Sequence, residues 1–115
     1  MAYKILIIDD ESRTRSLLSK MIETTGFDVE TYPEGSSVAS GIEAINRIKP
    51  DILLLDIQMP DGSGFELLEQ IESRDFEVIF VTAHQEYAIR AIKSSALDYI
   101  LKPVELSELE NALEN

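Results

Sequence analysis

The feature that most constrains this chain is an unbroken apolar run that ends in a carboxylate. The run is Ile52-Leu53-Leu54-Leu55, and Asp56 follows it directly. Such a run without alternation is typical of a strand buried on both faces, as in a parallel sheet between helix layers. The segment at 59–64, Met-Pro-Asp-Gly-Ser-Gly, is predicted to continue neither a strand nor a helix. Asp56 is therefore predicted to end a central strand at a loop, where open α/β sheets bind ligands.

The rest of the chain reads as alternating strands and helices with short connections. The predicted strands span residues 3–8, 27–32, 52–55, 77–81 and 97–101. The predicted helices span residues 12–25, 37–49 with Ser37 as N-cap, 64–73, 85–93, and 105 onward. This order predicts an α/β fold, one parallel sheet with helices on both faces, in a single domain of residues 1–115. Right-handed crossovers restrict it to a few doubly wound arrangements.

Apolar residues at helical spacing mark the faces that the predicted helices turn toward the sheet. The stripes are Leu17, Leu18, Met21 and Ile22; Val38, Ile42, Ile45 and Ile48; Phe65, Leu68 and Ile71; Ala88, Ile89 and Ile92; and Leu106, Leu109 and Leu113. Gly26 is predicted to stop the first helix, and residues 33–36 are predicted to form a turn. Gly41 costs the second helix about 1 kcal/mol relative to Ala.

Composition narrows the possible classes of protein. The chain has 115 residues and no cysteine, so disulfides and thiolate metal sites are excluded, and a reducing cytoplasm fits. The net charge of −12 favours a cation or a basic partner and disfavours DNA and anionic membranes. The N-terminal apolar run is too short for a signal peptide, and no run approaches membrane-spanning length.

Polar residues stand at the end of nearly every predicted strand. They are Asp9, Asp10 and Glu11 after the first strand, Asp56 after the third, Thr82 after the fourth and Lys102 after the fifth. Each alone has an ordinary interpretation, such as a solvated turn or a surface lysine, but parallel strand ends share one edge. Clustered carboxylates repel unless a cation joins them, and oxygen-rich sites suit Mg²⁺. A carboxylate beside Mg²⁺ can accept a phosphoryl group, which Lys102 and Thr82 would hold.

Four segments carry a resemblance that covers essentially the whole chain. They are ILIIDDE, PDILLLDIQMPDGSGFELL, VIFVTAH and ALDYILKPV. In this combination the chain resembles a response-regulator receiver domain of two-component signalling. The resemblance implies a three-layer, flavodoxin-like (βα)5 fold with sheet order 2-1-3-4-5. It also implies a signalling phosphoacceptor domain, which catalyses its own phosphorylation and dephosphorylation, rather than an enzyme.

The resemblance implies roles for the residues at the strand ends. Asp56 matches the phosphoacceptor, and Mg²⁺, for which Mn²⁺ can substitute, would be held by Asp9, Asp10, Asp56 and the backbone carbonyl of Gln58. The phosphoryl group would be held by Thr82, Lys102 and the backbone N–H of Ala83. Thr82 and Tyr99 match the switch pair, in which the aromatic ring turns inward when the hydroxyl moves. The Lys102–Pro103 bond is expected to be cis.

A finer resemblance is to receivers of LytTR-type transcriptional regulators, in which a separate DNA-binding domain follows the receiver. The domain is expected in the cytoplasm, and the implied kinase partner is a sensor histidine kinase. The face of the fourth helix, fifth strand and fifth helix would pair with a second copy or release an output domain. Two departures stand out: the segment at 32–37 is longer than the usual turn, and His84 replaces a frequent aromatic. Gln58 and His84 flank the site and affect acyl-phosphate hydrolysis in such proteins, although an exposed loop imidazole is the simpler interpretation of His84.

Two other classes of function stay open from the sequence. A small phosphatase or phosphotransferase could use an aspartyl nucleophile, but such enzymes usually carry a second acid where this chain has Gln58. A receiver-like binding module that is never phosphorylated is the other alternative. Degenerate modules lose the acids or the lysine, and this chain keeps them all.

Overall fold

The strands and helices alternate along the chain as the sequence predicts. The computed structural model describes residues 2–71, 75–93 and 96–114. The strands of the main sheet are β1 (Tyr3–Ile8), β2 (Val29–Gly35), β3 (Ile52–Leu55), β4 (Glu77–Thr82) and β5 (Asp98–Leu101). The helices are α1 (Ser12–Thr24), α2 (Val38–Ile48), α3 (Gly64–Glu69), α4 (Ala88–Lys93) and α5 (Leu106–Glu114). Among the described residues, no helix combines the length and apolar character that spanning a membrane requires.

The sheet is parallel, and its order is β2-β1-β3-β4-β5. This confirms the predicted doubly wound, flavodoxin-like fold. The register pairs Ile8 with Leu55 and Leu55 with Phe80, so the central strands end level with one another. The residues that follow these strand ends therefore gather at one edge.

The apolar run of β3 is buried from both faces of the sheet. Leu53 and Leu55 pack with α2, α3 and α4, whereas Leu54 packs with α1 and α5. All three side chains are almost completely buried. Each stabilises the fold by about 1.5–3 kcal/mol relative to an exposed side chain. Double-sided burial is the physical reason why this strand does not alternate between apolar and polar residues.

Helix α2 begins and ends as the sequence predicts. The Ser37 side chain accepts a hydrogen bond from the backbone of Ser40, and Ser40 returns one, which forms a capping box. Lys49 adopts a left-handed conformation with φ 55° and ends the helix. A Cβ atom at Gly41 would lie 2.8 Å from Leu67 Cδ1 and 3.0 Å from Ile8 Cδ1. Glycine therefore lets α2 approach both the sheet and α3 closely.

Two connections differ from the sequence predictions. The predicted turn at 33–36 is wrong, because β2 continues to Gly35. Proline is tolerated there because β2 lies at the sheet edge and its pairing with β1 is irregular between Leu6 and Ile8. The segment after β3 also contains strand pairing, since Gln58–Met59 and Gly62–Ser63 form a short antiparallel hairpin.

Helix α3 is shorter than predicted. It ends at Glu69, and the backbone N–H of Gln70 caps it. Residues 72–73 of the predicted helix lie outside the described residues. The predicted inward residues Phe65 and Leu68 are buried, and Ile71 packs partly buried against the same core.

Some predicted inward residues are exposed. Ile89 and Ile92 are 70% and 74% exposed, Leu17 is 55% exposed and Leu106 is 37% exposed. The predicted helix over 85–93 begins instead as a 3₁₀ turn, Gln85–Tyr87, and continues as α4 from Ala88 to Lys93. Ala91 is the buried residue of that helix. In α1 the buried residues are Leu18 and Ile22, one turn apart, and Leu17 points to another side.

Candidate functional site

An open cleft lies at the edge of the sheet where the parallel strands end. Its volume is about 410 Å³. The residues that line it come from the segments after β1, β3, β4 and β5: Asp10, Glu11, Asp56, Gln58, Met59, Pro60, Ala83, His84 and Lys102. The level strand ends thus bring together side chains that are far apart in sequence.

Three carboxylates form the acidic part of this site. Asp9 and Asp56 are buried and Asp10 is exposed, and one oxygen from each lies within 4.8 Å of the others. Oxygen ligands of one Mg²⁺ lie up to about 4.2 Å apart, because each is about 2.1 Å from the ion. Small side-chain rotations would give that spacing, and hard oxygen donors are the ligands that Mg²⁺ prefers. The predicted metal ligands therefore fit a divalent hard cation.

Lys102 bridges the two buried acids. Its Nζ lies 2.8 Å from Asp9 Oδ2 and 3.2 Å from Asp56 Oδ2. Burial alone would lower the pKa of Lys102, but the hydrogen bond to Asp9 and the charge of Asp56 outweigh burial and raise it. The side chain is therefore an ammonium group at neutral pH, and it neutralises part of the charge of the site.

Asp56 sits at the base of the cleft in a partly desolvated position. Its Oδ1 accepts a hydrogen bond of 2.7 Å from the backbone N–H of Ile57. Burial raises the pKa of Asp56; the positive charge of Lys102 opposes this shift, and the charge of Asp9 adds to it. A carboxylate with a raised pKa is a better nucleophile than an ordinary surface carboxylate, and it gains from a cation beside it.

The backbone around both buried acids is tightly held. Asp9 N–H donates to Gly35 O at 2.9 Å, and Asp56 N–H donates to Ile8 O at 3.0 Å. A Cβ atom at Gly64 would lie 2.6 Å from Asp56 O, so glycine lets α3 begin directly behind this residue. The acids therefore occupy positions that the strands and the start of α3 define.

The remaining predicted residues lie around the same cleft. Thr82 is fully buried at the end of β4, and its Oγ1 is 3.4 Å from the backbone N of His84. Tyr99 is partly buried against Phe80, and its hydroxyl donates to the carbonyl oxygen of His84. Burial raises the pKa of Tyr99, and the charge of Glu86 adds to this shift. The Lys102–Pro103 peptide bond is cis, as expected.

Several contacts near the site were missed by the sequence reasoning. The guanidinium of Arg15 in α1 donates a hydrogen bond to the carbonyl oxygen of Asp9. Tyr87 accepts a hydrogen bond of 3.3 Å from the side chain of Gln58. Asp61 accepts two backbone hydrogen bonds from α2. The sequence does show polar residues a few positions from the predicted site residues. Their spacing alone does not indicate which groups they contact.

Comparisons with known proteins agree with this geometry. The model of the response regulator receiver domain family matches residues 5–114. The transcriptional regulatory protein BtsR of Escherichia coli (strain K12) is 41% identical over 112 residues, which are 96% of this chain and 46% of BtsR. An uncharacterized response regulatory protein of Vibrio cholerae is 40% identical over 110 residues, 95% of this chain and 46% of that protein. The chain thus spans about half the length of the curated relatives it matches.

Solved structures of response regulator proteins have the same fold as this chain. A response regulator receiver domain protein from Clostridium thermocellum superposes with a TM-score of 0.83 at 33% identity, covering 100% of this chain and 93% of that chain. The response regulator protein TrrA from Thermotoga maritima, solved in complex with Mg²⁺–BeF, has a TM-score of 0.83 at 27% identity over 99% of this chain and 97% of that chain.

Fold and site together define a doubly wound α/β domain with an acidic cleft at its strand ends. The chain belongs to the response regulator receiver domain family. It is the receiver domain of a two-component response regulator, and its relatives include transcriptional regulators.

Proposed function

We propose that this domain receives a phosphoryl group on Asp56 from the phosphohistidine of a sensor histidine kinase in the cytoplasm. The observation that carries the proposal is the convergence of three carboxylates and one ammonium group at the end of the central strand. In the reaction a carboxylate oxygen of Asp56 would form a bond to phosphorus while the phosphorus–nitrogen bond to histidine breaks. The product is an acyl phosphate on Asp56 and a neutral kinase histidine.

Each type of group in the cleft has a proposed task. Mg²⁺, or Mn²⁺ in its place, would be held by Asp9, Asp10, Asp56 and the carbonyl of Gln58. When bound, the ion neutralises charge on the phosphoryl oxygens. Lys102 is charged and already within reach of Asp56, so it would pair with the new dianion.

The proposed switch runs from the phosphoryl group to the surface. Thr82 would move toward the phosphoryl group, and the backbone N–H of Ala83 would donate a hydrogen bond to it. Tyr99 would then repack between β4 and α4. Tyr99 already contacts the carbonyl of His84 in the loop after β4, which supports a coupling between the ring and that loop. Phosphorylation would then shift the population between two arrangements of this loop.

The face built from α4, β5 and α5 would carry the signal onward. Five large apolar side chains on or beside this face are exposed: Ile89, Ile92, Leu97, Leu101 and Leu106. Such a patch favours a protein partner, which we propose is a second copy or an output domain. The transcriptional regulatory proteins among the relatives support an output in transcription. We propose that the output domain binds DNA and is of the LytTR type. The receiver itself would bind neither nucleic acid nor membrane.

Phosphorylation can be tested without the kinase. The protein is incubated with acetyl phosphate and Mg²⁺, and its intact mass is measured over time. We expect one added phosphoryl group in the native protein and none in Asp56→Asn or after chelation of the metal. No adduct, or an adduct that persists in Asp56→Asn, would contradict the proposal. Turnover of generic phosphomonoesters would instead favour a phosphatase.

A further inference from the structure

Asp61 connects two parts of the chain that are distant in sequence. It lies in the turn of the short hairpin after β3, between Met59 and Gly62. Its Oδ1 accepts the N–H of Val38 at 2.7 Å, and its Oδ2 accepts the N–H of Ala39 at 3.1 Å. These two bonds lower the pKa of Asp61, so the carboxylate is ionised at neutral pH. Both oxygens are therefore engaged by the first turn of α2.

The end of β2, just before α2, contacts the other acidic segment. Gly35, three residues before Val38, accepts the backbone N–H of Asp9 at 2.9 Å. A Cβ atom on Gly35 would lie 2.6 Å from Ile8 Cγ1, so this joint packs directly on the end of β1. Residues 35–39 thus contact the segment that carries Asp9 on one side and the hairpin after Asp56 on the other.

We infer that Asp61 is a positioning residue that fixes the distance between the hairpin after Asp56 and the acids after β1, and thereby sets the affinity for the divalent ion. The inference rests on the proposed function, since Gln58 in the same hairpin would offer its carbonyl to the ion. Gln58 pairs with Ser63 across the hairpin, so a shift of the turn moves both strands. Without Asp61 the hairpin would keep its own pairing but lose both hydrogen bonds to α2.

The same hairpin provides a matched control. Ser63 accepts the N–H of Glu66 at 3.1 Å and caps α3. Ser63→Ala removes a cap within one segment, whereas Asp61→Ala removes a link between two segments. A second control, Glu66→Gln, removes one negative charge from a neighbouring exposed position and leaves the hydrogen bonds of Asp61 in place.

The test measures Mg²⁺ binding to the unphosphorylated protein by NMR titration, together with amide hydrogen exchange in metal-free buffer. We expect Asp61→Ala to raise the Mg²⁺ Kd about tenfold, the lower end of the range for residues that orient metal ligands. Exchange at Val38 and Ala39 should accelerate in the same variant before any metal is added. Asp61→Asn keeps one acceptor and should give an intermediate Kd, which provides a reading if Asp61→Ala does not fold.

The outcomes separate this inference from the proposed function. If the native protein binds Mg²⁺ and Asp61→Ala and Asp61→Asn keep its Kd within twofold, the inference is overturned and the proposed function stands. If Ser63→Ala or Glu66→Gln weakens binding as much as Asp61→Ala, stability or charge explains the effect, and the inference is again overturned. If the native protein binds no Mg²⁺, both the inference and the proposed metal site are wrong.

Discussion

At the scale of single residues, Lys102 keeps two buried carboxylates together that would otherwise repel each other. Its side chain contacts both Asp9 and Asp56, and all three groups are largely shielded from water. A cation in this position stabilises the fold, because removing one partner of a buried ion pair leaves the other charges uncompensated.

Lys102→Met is therefore expected to lower the free energy of unfolding by about 2–4 kcal/mol at pH 7 without metal. The pKa of Asp56 is already raised, and losing Lys102 raises it further. A group with a raised folded-state pKa loses its stabilising contribution as pH rises through that pKa, so the defect should grow from pH 5 to pH 7. Urea unfolding at the two pH values measures this. If the free energy of unfolding falls by the same amount at pH 5 and pH 7, lost packing and not lost charge is the cause.

The second residue-scale prediction concerns Asp56 itself. Burial raises its pKa, so the ionised form of Asp56 is less favourable in the folded protein than in the unfolded chain. Asp56→Asn keeps the shape and removes the charge, and we expect it to be more stable than the native protein at pH 7 without metal. The advantage should shrink as pH falls, because the native carboxyl group then becomes neutral as well. Thermal unfolding between pH 4 and pH 7 checks this, and a variant less stable at pH 7 would refute it.

At the scale of secondary structure elements, the sequence was most informative where burial is two-sided. Residues 52–55 were predicted with their observed bounds because a short run of large apolar residues between residues that break regular structure suits a strand buried on both faces. The fourth helix was predicted poorly, since the 3₁₀ turn that begins it leaves no mark on apolar spacing and Ile89 points outward. The hairpin after β3 was missed because its pairing spans only two residues on each side.

Gly41 gives a prediction at this scale, because local and tertiary preferences oppose each other there. Helix propensity favours Gly41→Ala by about 1 kcal/mol. The added methyl group would lie 2.8 Å from Leu67 Cδ1, and overpacking of a tight core costs about 1–3 kcal/mol. We expect a net destabilisation of about 1 kcal/mol by chemical denaturation. Asn46→Ala, on the exposed side of α2, should instead stabilise by about 0.5 kcal/mol. If both variants are more stable than the native protein, helix propensity outweighs overpacking at Gly41, and the prediction is wrong.

At the scale of the whole molecule, the site could be predicted because topology places strand ends together. Once the strands are parallel, Asp9, Asp56 and Lys102 must share an edge, and the structure places them in contact. The Asp61 link to α2 could not be predicted in this way. It joins residues 22 and 23 positions apart through loop geometry, which no periodic pattern encodes.

Binding of a divalent ion should stabilise the whole domain, because the ion would bind only where the fold assembles three acids. At ten times its Kd, Mg²⁺ should raise the free energy of unfolding by about 1.4 kcal/mol. Asp10 is exposed, so Asp10→Asn should leave metal-free stability nearly unchanged and remove most of this gain. Glu23→Gln, an exposed charge-matched control on α1, should keep the gain. Thermal unfolding with Mg²⁺, against K⁺ at equal ionic strength, measures the effect. An equal response in all three proteins would mean that Mg²⁺ only screens the net charge of −12.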